Sequence, residues 1–339
     1  MLVNIQLLRA FGAFLVLMHH ALPHYQAMGG ANSMLISVAR WGFLGVDIFF
    51  VISGFIMAHT TMSKPRGPRS AFIFLWHRLA RIFLGYWPFY ALSLFVASSL
   101  GLNLSSYNLL GSFFLLLLPQ PSLVLPVSWS LSYELYFYGL FFLLLWVPIR
   151  VVCRFIPVMF VMLLAVVLIF KTDVLSPLDF ILSGFLLEFF AGLMIGLISN
   201  YLIDIRFRGG FVLLAIVMIA LGISNEVVSL PSRALTYGAA GVFLVIHAIA
   251  APNRIRSRLS GVANLLGNAS YTIYLSHLPL ISVFYLLGFR DWFAIRGAGC
   301  AELGLVAMVL VCLIFSVLFY SWIERPLYRA AINAIKKPG

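Results

Sequence analysis

Long apolar runs separated by short polar breaks set the pattern of this chain. Ten runs, at about 5–22, 41–61, 82–100, 129–147, 151–170, 180–199, 209–223, 234–251, 270–288 and 299–323, each come near the length that crosses a hydrocarbon core, with 209–223 short. The spacing predicts a transmembrane helix over each. An eleventh run, 107–118, ends in Pro119-Gln-Pro121 and is too short to span, which predicts a re-entrant or interfacial segment. The first run stands apart because polar residues sit at both of its ends. Arg9 lies near its start and the pair His19 and His20 near its end. On one helix, Arg9 and His20 return to nearly the same face, with about 16 Å between them.

The cations orient these runs. Ten spans with a cytoplasmic N-terminus leave only Arg40, Lys171, Arg233, Arg290 and Arg296 outside, and place the rest of the 22 Lys and Arg residues inside. Letting 107–118 span inverts every later loop and ruins the bias. The expected architecture is therefore an all-α integral membrane protein of about ten transmembrane helices. Both termini are cytoplasmic, and 1–339 forms one polytopic domain.

Composition agrees. The chain is 63% hydrophobic and 9% charged, which excludes a soluble domain of this length. The net charge of +12 then reports topology rather than nucleic-acid binding. The first run has no cluster of positive charge before it and no small-residue cleavage site after it, so it reads as a span and not a cleaved signal. Cys153, Cys300 and Cys312 show no paired spacing, which gives neither a disulfide framework nor a metal site.

This topology gives depths to the unusual residues. His20, Asp47 in the second span and Glu134 in the fourth fall in the outer part of the membrane. Ionisable groups within a span mark function by default. On the cytoplasmic side, Arg78 and Arg81 sit three apart on one helix face at the expected start of the third span, a seat for phosphates. Each group also has a plainer reading. Arg9 and Arg78 serve as anchors that snorkel to lipid phosphates. His20 is an interior histidine satisfied by a carbonyl. Asp47 and Glu134 are partners of arginines on neighbouring helices. His59, His77 and His247 read as interfacial or packing residues, and nothing local assigns a role to Glu188 or Glu302. From the residues alone, the chain is a membrane protein with an inner phosphate seat and an outer acid–base cluster.

Six segments, in order, carry a resemblance. They are Gln6-Leu-Leu-Arg9-Ala with His20; Leu44-Gly-Val-Asp-Ile-Phe-Phe-Val-Ile-Ser-Gly-Phe55; Arg78-Leu-Ala-Arg81-Ile; Ser128-Trp-Ser-Leu-Ser-Tyr-Glu134-Leu-Tyr-Phe137; Ala269-Ser-Tyr-Thr-Ile-Tyr-Leu-Ser-His277-Leu-Pro; and Glu324-Arg-Pro326. Together they resemble the acyltransferase-3 family of bacterial membrane acyltransferases that modify surface glycans, and most of all its succinoglycan-type exopolysaccharide members. Two positions depart from the family's pattern. His77 stands where a further arginine is common, and Leu84 where a proline is common.

The resemblance implies acetyl transfer from cytoplasmic acetyl-CoA, with no metal, to a sugar hydroxyl of a glycan or lipid-linked oligosaccharide, at the bacterial inner membrane. Arg78 and Arg81, helped by Arg9, would hold the CoA phosphates. His20 would act as base or as a brief acetyl carrier, with Asp47 or Glu134 orienting it. His19, Ser128, Trp129, Ser130 and His277 would line the acceptor site, with His19 an alternative base. The same motifs admit a lipid, antibiotic or signalling oligosaccharide as acceptor. A proton-coupled transporter is the rival class, since carriers also use intramembrane His, Asp and Glu. Against it, the sequence shows no inverted repeat and no paired broken helices.

Overall fold

The computed structural model describes residues 3–61, 64–170, 183–202, 208–252 and 257–336. Lys171, Arg206, Arg254, Arg256 and Lys337, used above to orient the spans, lie outside the described residues, as does the start of the run 180–199. Among the described residues every regular element is helical. The chain forms α1 (Val3–Ala27), α2 (Ser33–Arg40), α3 (Gly45–Thr61), α4 (Pro68–Ser99), α5 (Leu109–Phe113), α6 (Trp129–Leu144), α7 (Ile149–Phe170), α8 (Gly184–Leu202), α9 (Arg208–Ser224), α10 (Leu230–Arg233), α11 (Ala239–Ala250), α12 (Ser257–Leu286), α13 (Phe289–Ala294), α14 (Ala298–Phe319) and α15 (Arg325–Lys336). π-helical turns join α10 to α11 and α14 to α15.

Among the described residues, seven helical stretches are long and apolar enough to cross a membrane: Val3–Ala27, Ser33–Thr61, Pro68–Ser99, Ile149–Ile169, Gly184–Leu202, Pro231–Ala250 and Gly299–Ala334. Helices also cover the other three expected runs. Of these, α6 has 16 residues, α9 has 17, and the 30-residue α12 is rich in serine, threonine and tyrosine. Several helices outrun their apolar cores. The third begins at Pro68, fourteen residues before the run 82–100. Arg78 and Arg81 therefore lie inside α4 and not at its N-terminus, so exposed backbone N–H groups of a helix end contribute nothing to a phosphate seat there. The seat, if used, is made of side chains.

The run 107–118 does not cross. Its helix, α5, has five residues, about 7.5 Å of rise. Asn108 caps it through Oδ1, which accepts from the Gly111 N–H at 2.8 Å. Three aromatic side chains of α4 satisfy its carbonyls. Tyr86 Oη donates to Ser112 O at 2.8 Å, Tyr90 Oη to Leu109 O at 3.0 Å and Trp87 Nε1 to Phe113 O at 3.3 Å. Irregular backbone at membrane depth is tolerated only with such internal partners.

The described chain divides into two compact units: Met1–Gly12, Leu44–Arg78 and Tyr133–Gly267 form one, and Ala13–Phe43, Leu79–Ser132 and Asn268–Gly339 the other. In the first, α3 and α8 meet backbone to backbone. A Cβ built at Gly54 would lie 2.0 Å from Phe189 O, and one at Gly192 2.1 Å from Val51 O. Small residues that let helices approach are the usual means of association where lipid tails compete for apolar contact. Around this seam Phe137 stacks on Phe189 with centroids 4.2 Å apart, and Phe50 packs on Phe185 at 4.7 Å. The second unit's core joins the later half of α1 to α12 and α14 through Leu17, Ala21, Tyr25, Ile281, Phe284, Leu305 and Met308.

Gly54→Ala and Gly192→Ala should each destabilise the protein by about 1–3 kcal/mol, read as a lowered unfolding temperature in detergent. Gly139→Ala, where an added Cβ meets nothing within 4 Å, should be neutral or gain up to about 1 kcal/mol of helix propensity. Equal effects at all three positions would show that the α3–α8 approach is not the cause.

Candidate active site

The second unit holds the three candidate histidines. His19 and His20 sit on α1, half-buried, and His277 sits on α12, fully buried. His20 Nδ1 lies 3.0 Å from Val16 O and 3.1 Å from His277 Nε2. A carbonyl only accepts, so Nδ1 of His20 carries the hydrogen. His277 Nδ1 likewise faces a carbonyl, Ile273 O at 3.2 Å, and carries its own hydrogen. In the neutral ring His277 Nε2 is then bare and accepts from His20 Nδ1–H. The same assignment leaves His20 Nε2 with a free lone pair. His19 is bound differently, with Nδ1 3.2 Å from Ala39 O and its ring edge-on to Phe43 and to His20. Among the described residues no three His, Cys, Asp or Glu side chains are placed to hold a metal ion.

One short stretch of α12 organises these contacts. Between Tyr271 and His277, five side chains reach five other segments of this unit. Tyr271 Oη donates to Ile82 O of α4 at 2.9 Å. Thr272 Oγ1 donates to Glu324. Tyr274 Oη donates to Val127 O at 2.9 Å and pairs with Ser130 Oγ at 2.8 Å. Ser276 Oγ pairs with Ser316 Oγ of α14 at 2.7 Å. His277 meets His20 of α1. The expectation for the Ser-Trp-Ser segment changes accordingly. Ser128 is wholly buried and Ser130 is tied to Tyr274, so of the three only Trp129, half-buried, retains exposure for an acceptor. The reason is local: the backbone enters α6 through a 3-10 turn at Pro126–Ser128 that turns both serines inward.

The first unit holds the expected carboxylates. Asp47, in the first turn of α3, is completely buried and takes a two-pronged bond from Arg233. Nε reaches Oδ1 at 2.7 Å and one terminal nitrogen reaches Oδ2 at 2.8 Å. Glu188 is buried beside them, close enough to interact with both charges, and packs on Gly238 where no Cβ would fit. The reading of Asp47 as the partner of an arginine on a neighbouring helix is the one this geometry realises. Arg233 itself was placed only as a loop cation by the sequence.

Glu134 accepts from Tyr138 Oη, one turn on along α6. The Arg78 guanidinium lies 5.6 Å from the Tyr138 ring centre and 5.5 Å from that of Phe74, and reaches Thr60 Oγ1 at 3.4 Å near the end of α3. Asp47 and Thr60 are thirteen residues apart on α3, about 20 Å along its axis. Tyr133, next to Glu134, packs on Phe50, one turn from Asp47, with ring centroids 6.0 Å apart, so both expected carboxylates lie toward the same end of α3. Arg9 is 5% exposed and donates to Gln6 Oε1 at 3.2 Å, which does not fit an anchor snorkelling to lipid. Arg78 and Arg81 remain half-buried on one unbroken helix.

An acyltransferase domain model matches residues 2–325. The chain is also 32% identical over 312 residues to the exopolysaccharide production protein ExoZ of Rhizobium meliloti (strain 1021), covering 85% of this chain and 90% of that protein. No solved structure matches at a significant level.

Arg233→Ala should cost about 3–5 kcal/mol of stability, because it strands a buried carboxylate. The double variant Asp47→Asn with Arg233→Met should recover most of that loss. Thermal unfolding in detergent measures both, and a double variant as unstable as the single one would show that the ion pair is not what Arg233 contributes.

Proposed function

The chain belongs to the acyltransferase-3 family and is an O-acyltransferase, and from that premise we propose that it moves an acetyl group from acetyl-CoA to a sugar hydroxyl of an exopolysaccharide or its lipid-linked precursor. The observation that carries the chemistry is the free Nε2 of His20, whose other nitrogen is held by Val16 O and His277. In this reading Nε2 takes the proton from the acceptor hydroxyl as its oxygen bonds to the acetyl carbon. The carbon–sulfur bond breaks, and the same proton passes from Nε2 to the departing thiolate. The reaction is balanced and needs no metal or external base. General-base catalysis of this kind contributes about 10²- to 10⁴-fold.

On the donor side, Arg78 and Arg81 offer two guanidinium groups to the CoA phosphates from adjacent turns of α4, and Arg9 adds a third charge. Guanidinium forks suit phosphate oxygens in geometry as well as charge. The ExoZ likeness and the cation distribution together favour a glycan acceptor and a bacterial inner-membrane enzyme of about ten spans with cytoplasmic termini. Trp129, with His19, is the best placed of the expected acceptor residues for contact with a sugar, being half-buried rather than enclosed.

The decisive comparison is the surface polysaccharide of cells carrying the intact gene, a deletion, or His20→Ala, read by proton NMR of ester-linked O-acetyl groups. The signals should vanish in both altered strains. Persistence with His20→Ala alone would move the base to His19, and persistence in the deletion would exclude this acceptor. In purified protein, Arg78→Ala and Arg81→Ala should each raise KM for acetyl-CoA roughly tenfold to a hundredfold, the worth of a charged hydrogen bond. Unchanged KM in both would remove the phosphate seat.

A further inference from the structure

We infer that His277 is the positioning residue of the base, a neutral imidazole standing where other acyl-transfer sites use a carboxylate; this rests on His20 acting as proposed above. The contact is direct, 3.1 Å from His277 Nε2 to His20 Nδ1, and it joins residues 257 positions apart in sequence. Its polarity is fixed from both sides. Val16 O requires a hydrogen on His20 Nδ1, and Ile273 O requires one on His277 Nδ1, so only His277 Nε2 is left to accept. A ring whose Nδ1–H is held this way cannot present Nδ1 to substrate. Its lone pair is confined to Nε2, as the orienting group of a triad achieves.

The carboxylates of this unit are committed elsewhere among the described residues. Asp291 bonds Arg290, Glu302 accepts from Tyr25 at 2.8 Å, and Glu324 accepts from Thr272. His277 is itself immobilised. It is fully buried, its Nδ1 is tied to its own helix, and its ring lies 5.9 Å from that of Tyr274, which is anchored to Val127 and Ser130. A buried imidazole with one nitrogen on a carbonyl and the other on a second imidazole is poorly placed to touch a sugar, so His277 acts through His20 and not on the acceptor. A neutral partner also has a chemical consequence. It orients the base without adding a negative charge that would hold the imidazolium in place, so the proton picked up at Nε2 is readily given to the thiolate.

The test uses full-length protein in detergent or nanodiscs, assayed for acetyl transfer from acetyl-CoA alongside wild type and His20→Ala. His277→Leu removes the acceptor, and His277→Gln keeps a carbonyl oxygen near the place of Nε2. His277→Leu should lower kcat roughly a hundredfold, within the range that orienting groups contribute, with KM for acetyl-CoA within twofold of wild type. His277→Gln should regain at least tenfold of that loss. Full activity in His277→Leu, or equal loss in the Leu and Gln forms, would overturn the assignment and leave His277 a packing residue. A wild type without transfer activity, or an active His20→Ala, would instead overturn the functional reading beneath it. If His277→Leu does not fold, nitrogen-15 NMR of His20 in the wild-type protein decides: hydrogen on Nδ1 with bare Nε2 supports the role, and the reverse tautomer overturns it.

Discussion

A polar atom enclosed by apolar helices has no water to fall back on, so it must be paired within the protein. The stretch Tyr271–His277 of α12 meets that demand on almost every side at once. In two turns it bonds α4 through Tyr271, Glu324 through Thr272, the entry to α6 through Tyr274, α14 through Ser276 and α1 through His277. Each bond is worth only about 1 kcal/mol net, but each orphaned partner would cost about 1–3 kcal/mol. Specific register follows from that asymmetry. A rotation or slide of α12 that relieved one strained bond would break the rest together, so the second unit has one arrangement in which all five are satisfied.

The first unit solves the same problem with charge. Asp47, Glu188 and Arg233 put two acids and one guanidinium in a buried site. Arg233 meets Asp47 with its planar fork, a geometry that lysine cannot supply. Such a pair adds little to net stability against an apolar substitute, since desolvation offsets the attraction. What it provides is a penalty for misplacement. The glycine seam of α3 and α8 brings the backbones close enough for dispersion to act, and the ion pair then fixes one end of α3 against the segment carrying Arg233.

Much of this was legible in the sequence, and the failures have a common cause. Apolar runs located the helices, yet run length measures hydrocarbon and not helix. The polar and amphipathic turns before Arg78 and before Ala269 continue their helices, which moved Arg78 and Arg81 away from a helix end. The middle of α12 shows the converse. Ala269, Ser270, Thr272, Leu275, Ser276 and His277 are wholly buried, so this helix faces protein on all sides there and has no need of the hydropathy that marks a lipid-facing span. The depth argument put Asp47 and Arg233 on the outer side, but Arg233 was read as a loop charge because its run was taken to begin at 234, and the arginine partner of Asp47 went unnamed. The meeting of His20 with His277 could not be read at all, because nothing in a single chain says which helices are neighbours.

The motifs that carry the family resemblance take on a physical meaning in this light. The late segment from Ala269 and the Glu324-Arg-Pro segment join each other through Thr272, and at Gly85 of α4 an added Cβ would lie 2.5 Å from the Tyr271 ring. Gly85 is one turn beyond Arg81, so the close approach that glycine permits sets the α4 backbone where its arginine pair begins. α4 runs unbroken from Pro68 to Ser99 even with Pro88 inside it, so Arg78 and Arg81 keep the three-residue helical spacing that aligns them on one face. Catalytic geometry is most reproducible when the reacting groups sit on rigid elements backed by their own hydrogen bonds. In the proposed reading, His20 rides on α1, its orientation comes from His277 on α12, and α12 is fixed by four further bonds. The chemistry-bearing residues of such an enzyme can therefore be few, because most of the polar residues in its motifs are occupied in holding them still.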